Sequence, residues 1–141
     1  MIYGGGKNGL MGEVARSSKN NGGYVEGIIP KFLRSKENIN KNLDKIIITK
    51  NMSERKKLLY EKGDAFLALP GGPGTIEEIT EIISWLNLGL HKKPIIIFNY
   101  NKFWTPLINM YKKTYLKKFN HIKIESLFYC VNSVGQLKKL L

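Results

Sequence analysis

The chain has 141 residues, 23 of them Lys or Arg against 11 Asp or Glu, for a formal net charge of +12. That length suits one compact domain with a core of its own, and 43% hydrophobic and 24% charged residues are globular values that exclude wholesale disorder or a fibrous repeat. The longest apolar stretches, Phe66 to Pro70 and Pro94 to Phe98, fall far short of the roughly 20 residues of a spanning helix, and the single Cys130 fits a reducing, cytoplasmic compartment.

Met1 is followed at once by Ile2, Tyr3 and three glycines, without the basic and apolar lead of a signal peptide. Met1 to Tyr3 reads as the tail of a strand running into Gly4, Gly5 and Gly6. Gly9 to Asn20 forms a helix stopped by Asn21, Gly22 and Gly23. Tyr24 to Ile29 is a strand closed by Pro30, and the polar, aperiodic Lys31 to Asp44 is a loop or frayed helix. The β-branched run at Ile46, Ile47 and Ile48 marks a short strand over Lys45 to Thr49. A helix over Ser53 to Lys62 follows, with Ser53 as N-cap.

Asp64 to Leu69 reads as a buried strand leading into Pro70, Gly71, Gly72, Pro73 and Gly74. The next helix runs from Thr75 to about Leu88 and ends at Gly89, with Ile76, Ile79, Ile82, Ile83 and Leu86 as its apolar face. Pro94 to Phe98 is another continuous apolar strand; aromatic-rich helical segments and a last helix from Val134 to Leu141 complete the chain. Strands apolar throughout, alternating with helices, predict an α/β fold: a Rossmann-like open parallel sheet covered on both faces, in a single domain over residues 1–141.

The charge is unevenly placed. Gly63 to Leu90 holds Asp64, Glu77, Glu78 and Glu81 with no base, whereas from Ile82 to the end there are ten Lys and one acid, Glu125. Only Arg16, Arg34 and Arg55 are arginine, while Asn and Ile are abundant, so the lysine excess reads as biased codon supply rather than as a nucleic-acid surface, which would recruit Arg for its bidentate fork.

In open α/β sheets ligands bind beyond the carboxyl ends of the strands, where glycine loops let backbone amides approach a phosphate. Two such loops are present, Gly4 to Gly12 (GGGKNGLMG) and Pro70 to Glu78 (PGGPGTIEE). The first fits dinucleotide spacing through Gly4, Gly6 and Gly9, a weak signal whose acidic partner, Glu26, would sit inside a strand. In the second, Gly71, Gly72 and Gly74 leave the main chain unshielded before a helix whose start favours an anion. A purely structural alternative is a tight turn in which Thr75 is the N-cap and Glu78 the N3 residue of a capping box.

The runs YGGGKNGLMG, GIIP (Gly27 to Pro30), MSERK (Met52 to Lys56) and PGGPGTIEE together resemble the Lonely Guy family of cytokinin-activating phosphoribohydrolases, whose pattern is PGGxGTxxE preceded by MxxRK. Arg55 and Glu78 stand at matching positions, and Pro73 occupies a variable one. Members of the family have often been labelled lysine decarboxylases; nothing in this sequence argues for a pyridoxal phosphate site. The resemblance implies hydrolysis of the N-glycosidic bond of a nucleoside 5′-monophosphate, such as one with an N6-substituted adenine, by a homodimer; no cofactor, metal or membrane partner is expected, and the scarcity of Arg argues against nucleic acid. It implies catalytic roles for Glu78 and Arg55. Gly71, Gly72, Gly74 and Thr75 would bind the phosphate, Gly5 and Gly6 would border the cleft, and Met52 and Lys56 would lie near the substrate. Met52 reads equally well as core and Lys56 as a solvated charge. The family also has a first strand, a Gly/Ser loop and a helix before the YGGG segment, so the resemblance implies a domain lacking its first βα unit, with an empty slot at the centre of the sheet. The alternatives are a nucleotide-binding module without turnover, an inactive fragment of such an enzyme, a dinucleotide-binding domain, and nucleic-acid binding through the Lys-rich end.

Overall fold

The structure, a computed structural model, describes residues 1–33 and 39–140. The chain divides into two compact units, Met1–Gly63 and Asp64–Leu141. Each contains a three-stranded parallel sheet flanked by helices, an α/β, Rossmann-like architecture.

In the first unit the strands β1 (Ile2–Tyr3), β2 (Glu26–Pro30) and β3 (Lys45–Thr49) lie in that order, with Tyr3 opposite Gly27 and Ile28 opposite Ile47. Helix α1 (Gly9–Asn20) connects the first two strands, in the right place for a parallel crossover. It ends in a Schellman motif: Gly23 N–H donates to Ser18 and Gly22 N–H to Lys19, with Gly22 at φ +77°. Val25, Ile28, Ile29 and Ala15 are fully buried and form the core. The expectation that both faces of every strand are covered fails at β3, which is an edge strand and leaves Ile46 and Ile48 exposed. Of the Lys31 to Asp44 stretch, Lys31–Leu33 is one 3₁₀ turn; the expectation for residues 34–38 lies outside the described residues.

Helix α2 (Met52–Lys62) starts one residue earlier than its periodicity suggests. Asn51, not Ser53, is the N-cap: its side chain accepts from Glu54 N–H at 2.9 Å, and the Glu54 carboxylate accepts from Lys50 N–H at 2.7 Å. This reciprocal arrangement satisfies two backbone donors at the helix start, which Ser53, already inside the first turn, cannot do.

In the second unit β4 (Phe66–Ala68), β5 (Ile95–Phe98) and β6 (Tyr129–Val131) pair in that order. Strand β6 is not anticipated by the sequence reading, although its aromatic and β-branched residues are strand formers. Helix α3 (Pro73–Asn87) buries Ile79, Ile82 and Ile83 but leaves Ile76 exposed, so its apolar face is narrower than expected. It closes in a second Schellman motif around Gly89, at φ +74°. The buried His91 ties this end down: its Nδ1 accepts from Lys93 N–H at 3.1 Å, so Nε2 carries the proton and donates to Ile82 O at 2.9 Å, while the ring meets Phe66 edge-on.

After β5, buried Asn99 accepts from Trp104 N–H at 2.7 Å and leads through a turn into α4 (Thr105–Leu116); the short α5 (Val134–Lys138) follows β6. In that turn Asn101 and Lys102 both adopt left-handed backbone, at φ 49° and 60°. A lysine there is disfavoured by its Cβ, while glycine gives back part of the gain by its freer unfolded chain. Lys102→Gly is therefore expected to stabilise the protein by about 0.5–1 kcal/mol, raising the melting temperature by a few degrees in a thermal scan.

Candidate functional site

The first glycine loop sits at the carboxyl end of β1. Gly5 is buried at φ +79°, and a Cβ on it would lie 2.5 Å from the Ile29 side chain. A Cβ on Gly27 would be 2.9 Å from the Gly5 Cα, so two backbones meet where only glycines fit. The same absence of side chains makes room for Arg55. Its guanidinium lies across Gly4, with Nη2 only 2.7 Å from where a Gly4 Cβ would stand, while its Nε donates to Ile28 O at 3.2 Å.

Met52, one turn earlier on α2, places its sulfur 4.0 Å from Arg55 Nη1. Met11, from the first turn of α1, lies over Gly6, with Sδ 3.2 Å from a Cβ built there. The structure thus brings together Gly4, Gly5, Gly6, Met11, Met52 and Arg55. Met11 carries no assigned role in the sequence reading although it lies within the YGGGKNGLMG run; its place one turn into a helix that opens beyond glycines is the signal that could have marked it. Lys56 follows Arg55 on α2 and is half-buried.

Glu26 does not serve as the acid of a dinucleotide site. It is the first residue of β2, and Lys62 Nζ lies 2.8 Å from its Oε2. That ammonium, with a smaller contribution from Lys45, holds the Glu26 carboxyl below its usual range. Asp44 is lowered similarly, first by the Lys19 ammonium and then by Val25 N–H, which donates to it at 2.7 Å.

In the second unit Pro70 to Gly72 lead from β4 into α3. The helix begins two residues before the expected Thr75 start: Gly72 is the N-cap, Pro73 occupies N1, and Ile76 N–H makes the first intrahelical bond, to Gly72 O, at 3.1 Å. Thr75 is therefore N3, not the N-cap, and Glu78 lies in the second turn, outside any capping box. Proline at N1 explains the shift, since its fixed φ suits a first helical residue and it has no N–H to leave unpaired. The N–H groups of Gly74 and Thr75 belong to the first turn, which has no intrahelical acceptors for them.

Gly71 packs beneath Thr75, whose Oγ1 would be 2.3 Å from a Gly71 Cβ, whereas a Cβ on Gly72 or Gly74 would meet nothing within 4 Å. The turn is thus closed at Gly71 by the Thr75 hydroxyl and left without neighbours where side chains of Gly72 and Gly74 would stand. Glu78 follows Gly74 and Thr75 by four and three residues, so its side chain shares their helix face and leans toward the N-terminus. The unit brings an anion-attracting helix start and a carboxylate onto one face.

Glycine loops at strand ends, a guanidinium laid over one and a carboxylate beside the other belong to an α/β, Rossmann-like protein. The family model described as "possible lysine decarboxylase" matches residues 11–141. Among curated proteins the chain is 36% identical over 137 residues to a probable cytokinin riboside 5′-monophosphate phosphoribohydrolase of Oryza sativa subsp. japonica, covering 97% of this chain and 60% of that protein. It is 43% identical over 110 residues to the cytokinin riboside 5′-monophosphate phosphoribohydrolase of Rhodococcoides fascians, covering 77% and 56%. The chain thus spans between half and two thirds of the length of these relatives.

A solved structure, the molybdenum cofactor binding protein of Rippkaea orientalis, superposes with a TM-score of 0.69 at 19% identity, covering 99% of this chain and 73% of that one; this likeness shows the fold. The chain belongs to the Lonely Guy family, the family matched under the lysine decarboxylase description.

Two expected outcomes follow from the first unit. Gly4→Ala forces the Arg55 guanidinium aside; if that group holds an anion, AMP affinity by calorimetry falls about tenfold, the loss of one charge-assisted hydrogen bond. Because Glu26 and Asp44 have folded-state pKa values below the unfolded ones, the stability they contribute is fully present above the ordinary carboxylate range near pH 4 and is lost as pH falls through the depressed values. An acid titration followed by circular dichroism should show a loss of structure that Glu26→Gln with Asp44→Asn makes less steep.

Proposed function

We propose that the protein hydrolyses the N-glycosidic bond of a nucleoside 5′-monophosphate, giving the free base and ribose 5-phosphate, with an N6-substituted adenine of the cytokinin type as the base. Family membership and the relatives' names support the reaction. The observation that carries it in this chain is the start of α3, where the side-chain space of Gly72 and Gly74 is empty and Gly74, the Thr75 hydroxyl and the Glu78 carboxylate share one helix face.

The 5′-phosphate binds the amides and hydroxyl of Gly71, Gly72, Gly74 and Thr75, where the helix dipole favours negative charge. Cleavage breaks the bond between ribose C1′ and the base nitrogen. The bonding electrons leave with the base, which gains a proton, while water adds its oxygen to C1′ and gives up a proton. Positive charge develops at C1′ and the ring oxygen, as in other glycoside hydrolyses, and the Glu78 carboxylate stabilises that charge or takes the proton of the attacking water.

Arg55 holds phosphate or ribose oxygens. Its fork suits two oxygens at once, and its bond to Ile28 O fixes the plane in which it is offered. Gly5 and Gly6 border the bound substrate, Met52 and Met11 offer polarizable surface to a base, and Lys56 adds positive charge. The protein acts as a homodimer in the cytoplasm, a reading supported by the family resemblance and the lone Cys130.

Chromatography of AMP and an N6-isopentenyl AMP after incubation with the protein tests the reaction. Glu78→Gln is expected to lower kcat by about 10²–10⁴ while AMP still binds. Arg55→Lys, which keeps the charge and loses the fork, is expected chiefly to raise KM. Calorimetric binding of AMP with no free base from any nucleoside monophosphate would instead identify a nucleotide-binding module without turnover.

A further inference from the structure

The end of α4 departs from the other helix ends of the chain. Phe119 N–H donates to Thr114 O at 2.9 Å and Lys118 N–H to Tyr115 O at 2.9 Å, a Schellman motif like those at Gly22 and Gly89. Here, however, the left-handed position, at φ 61°, is held by Lys118. The residue after it, Phe119, is 84% exposed, with Leu90 after Gly89 at 63%, and Leu116 one turn before Phe119 is 75% exposed. These are the two most exposed large apolar side chains among the described residues. Just beyond, Asn120 accepts from Ile122 N–H at 3.1 Å, so hydrogen-bonded turns fix the backbone on both sides of Phe119. The ring is held out by defined structure.

Along this segment the charge has one sign, and the nearest acid in the chain is Glu125, on the 3₁₀ turn Ile124–Ser126. Lys112, Lys113, Lys117, Lys118 and Lys123 are all exposed, and Thr105 to Lys123 contains no Asp or Glu. Lys112 and Lys113 are four and three residues before Leu116 and flank it on the helix surface.

We propose that this projection docks the protein on an anionic phospholipid bilayer, with Phe119 and Leu116 entering the boundary between headgroups and acyl chains and the lysines meeting the lipid phosphates. Two isolated apolar side chains on a turn suit a soft medium better than a protein partner, whose interface requires roughly 800 Å² of matched surface per side. A second copy of this chain would bring the same lysines face to face. A nucleic acid would use the ring of Phe119 for stacking but offer Leu116 nothing, and no arginine lies beyond Arg55 to read its phosphates. The lipid surface uses every element of the patch, since lysine stems extend along apolar surface while their ammonium groups reach the headgroups.

Co-sedimentation with vesicles of phosphatidylcholine alone, and of phosphatidylcholine mixed with phosphatidylserine, tests the proposal. Binding is expected to the mixed vesicles only and to weaken as salt is raised. Phe119→Ser is expected to lower the partition coefficient about tenfold, and Lys117→Gln with Lys118→Gln by about fivefold per lysine. With its ring in solvent, the Phe119→Ser protein should keep its melting temperature, which separates lost docking from lost folding. Equal binding to both vesicle types, or mixed-vesicle binding that Phe119→Ser leaves unchanged, would overturn the proposal. So would binding to duplex DNA, or self-association through Phe119, in a protein that ignores the vesicles.

Discussion

The constraint on which most of this structure depends is the close approach of main chain where β1 ends. A side chain on Gly5 would strike Ile29, one on Gly27 would strike Gly5, and one on Gly4 would displace Arg55. Because none is present, β1 can lie beside β2 in register, Ile29 can fill the core beneath, and α2 can deliver a guanidinium across the strand end. Fold and site share the same omission of atoms. A glycine loop that only made a tight turn would not also need an arginine resting upon it.

The second glycine run works by a different route. At Gly4 to Gly6 the missing side chains are replaced by neighbours from elsewhere in the first unit: Ile29, Met11 and Arg55. At Gly72 and Gly74 the space stays open, and only Gly71 is covered, by Thr75 four residues on. One loop is therefore filled and the other is vacant, although the two look alike as GGG and PGGPG. Unfilled space above helix-start amides is what a phosphate group needs, while filled space around an arginine is what fixes that arginine's orientation.

This difference also marks where the sequence could and could not be read. The alternation of apolar strands with periodic helices was legible because burial imposes it residue by residue; α1 falls over the expected Gly9 to Asn20 because Gly22 supplies the left-handed stop that ends it. The starts of α2 and α3 differ from the expected ones for a shared reason. Ser53 and Thr75 are good N-caps in isolation, but Asn51 and Gly72 with Pro73 form better starts two or three residues earlier, and the choice depends on hydrogen bonds that composition does not display. The short strand β6 is not legible in the sequence because three residues carry too little periodicity to stand out among the aromatic-rich segments around them. Met11 is legible only through its place in the first turn of a helix that opens beyond glycines; its nearness to Gly6 itself comes from the turn that Gly9 makes possible.

Charge is the case in which composition and placement give different answers. A lysine excess spread by codon bias would fall on exposed positions of every helix alike, and it would not be expected to gather beside particular apolar residues. The helix ends of this chain allow the comparison, because three of them close with the same hydrogen-bond pattern. Two use glycine at the left-handed position, the choice of lowest strain; the third uses Lys118 and turns Phe119 outward. Bias alone accounts for a lysine at that position but not for an aromatic ring held in solvent beside it, over a helix end whose facing residue, Thr114, is polar. An exposed Phe is uninformative by itself, and so is an exposed Lys. Their conjunction on a backbone held by hydrogen bonds on both sides is a feature that neither hydrophobic burial nor codon supply explains, and it lies on a segment with no acidic residue to neutralise it.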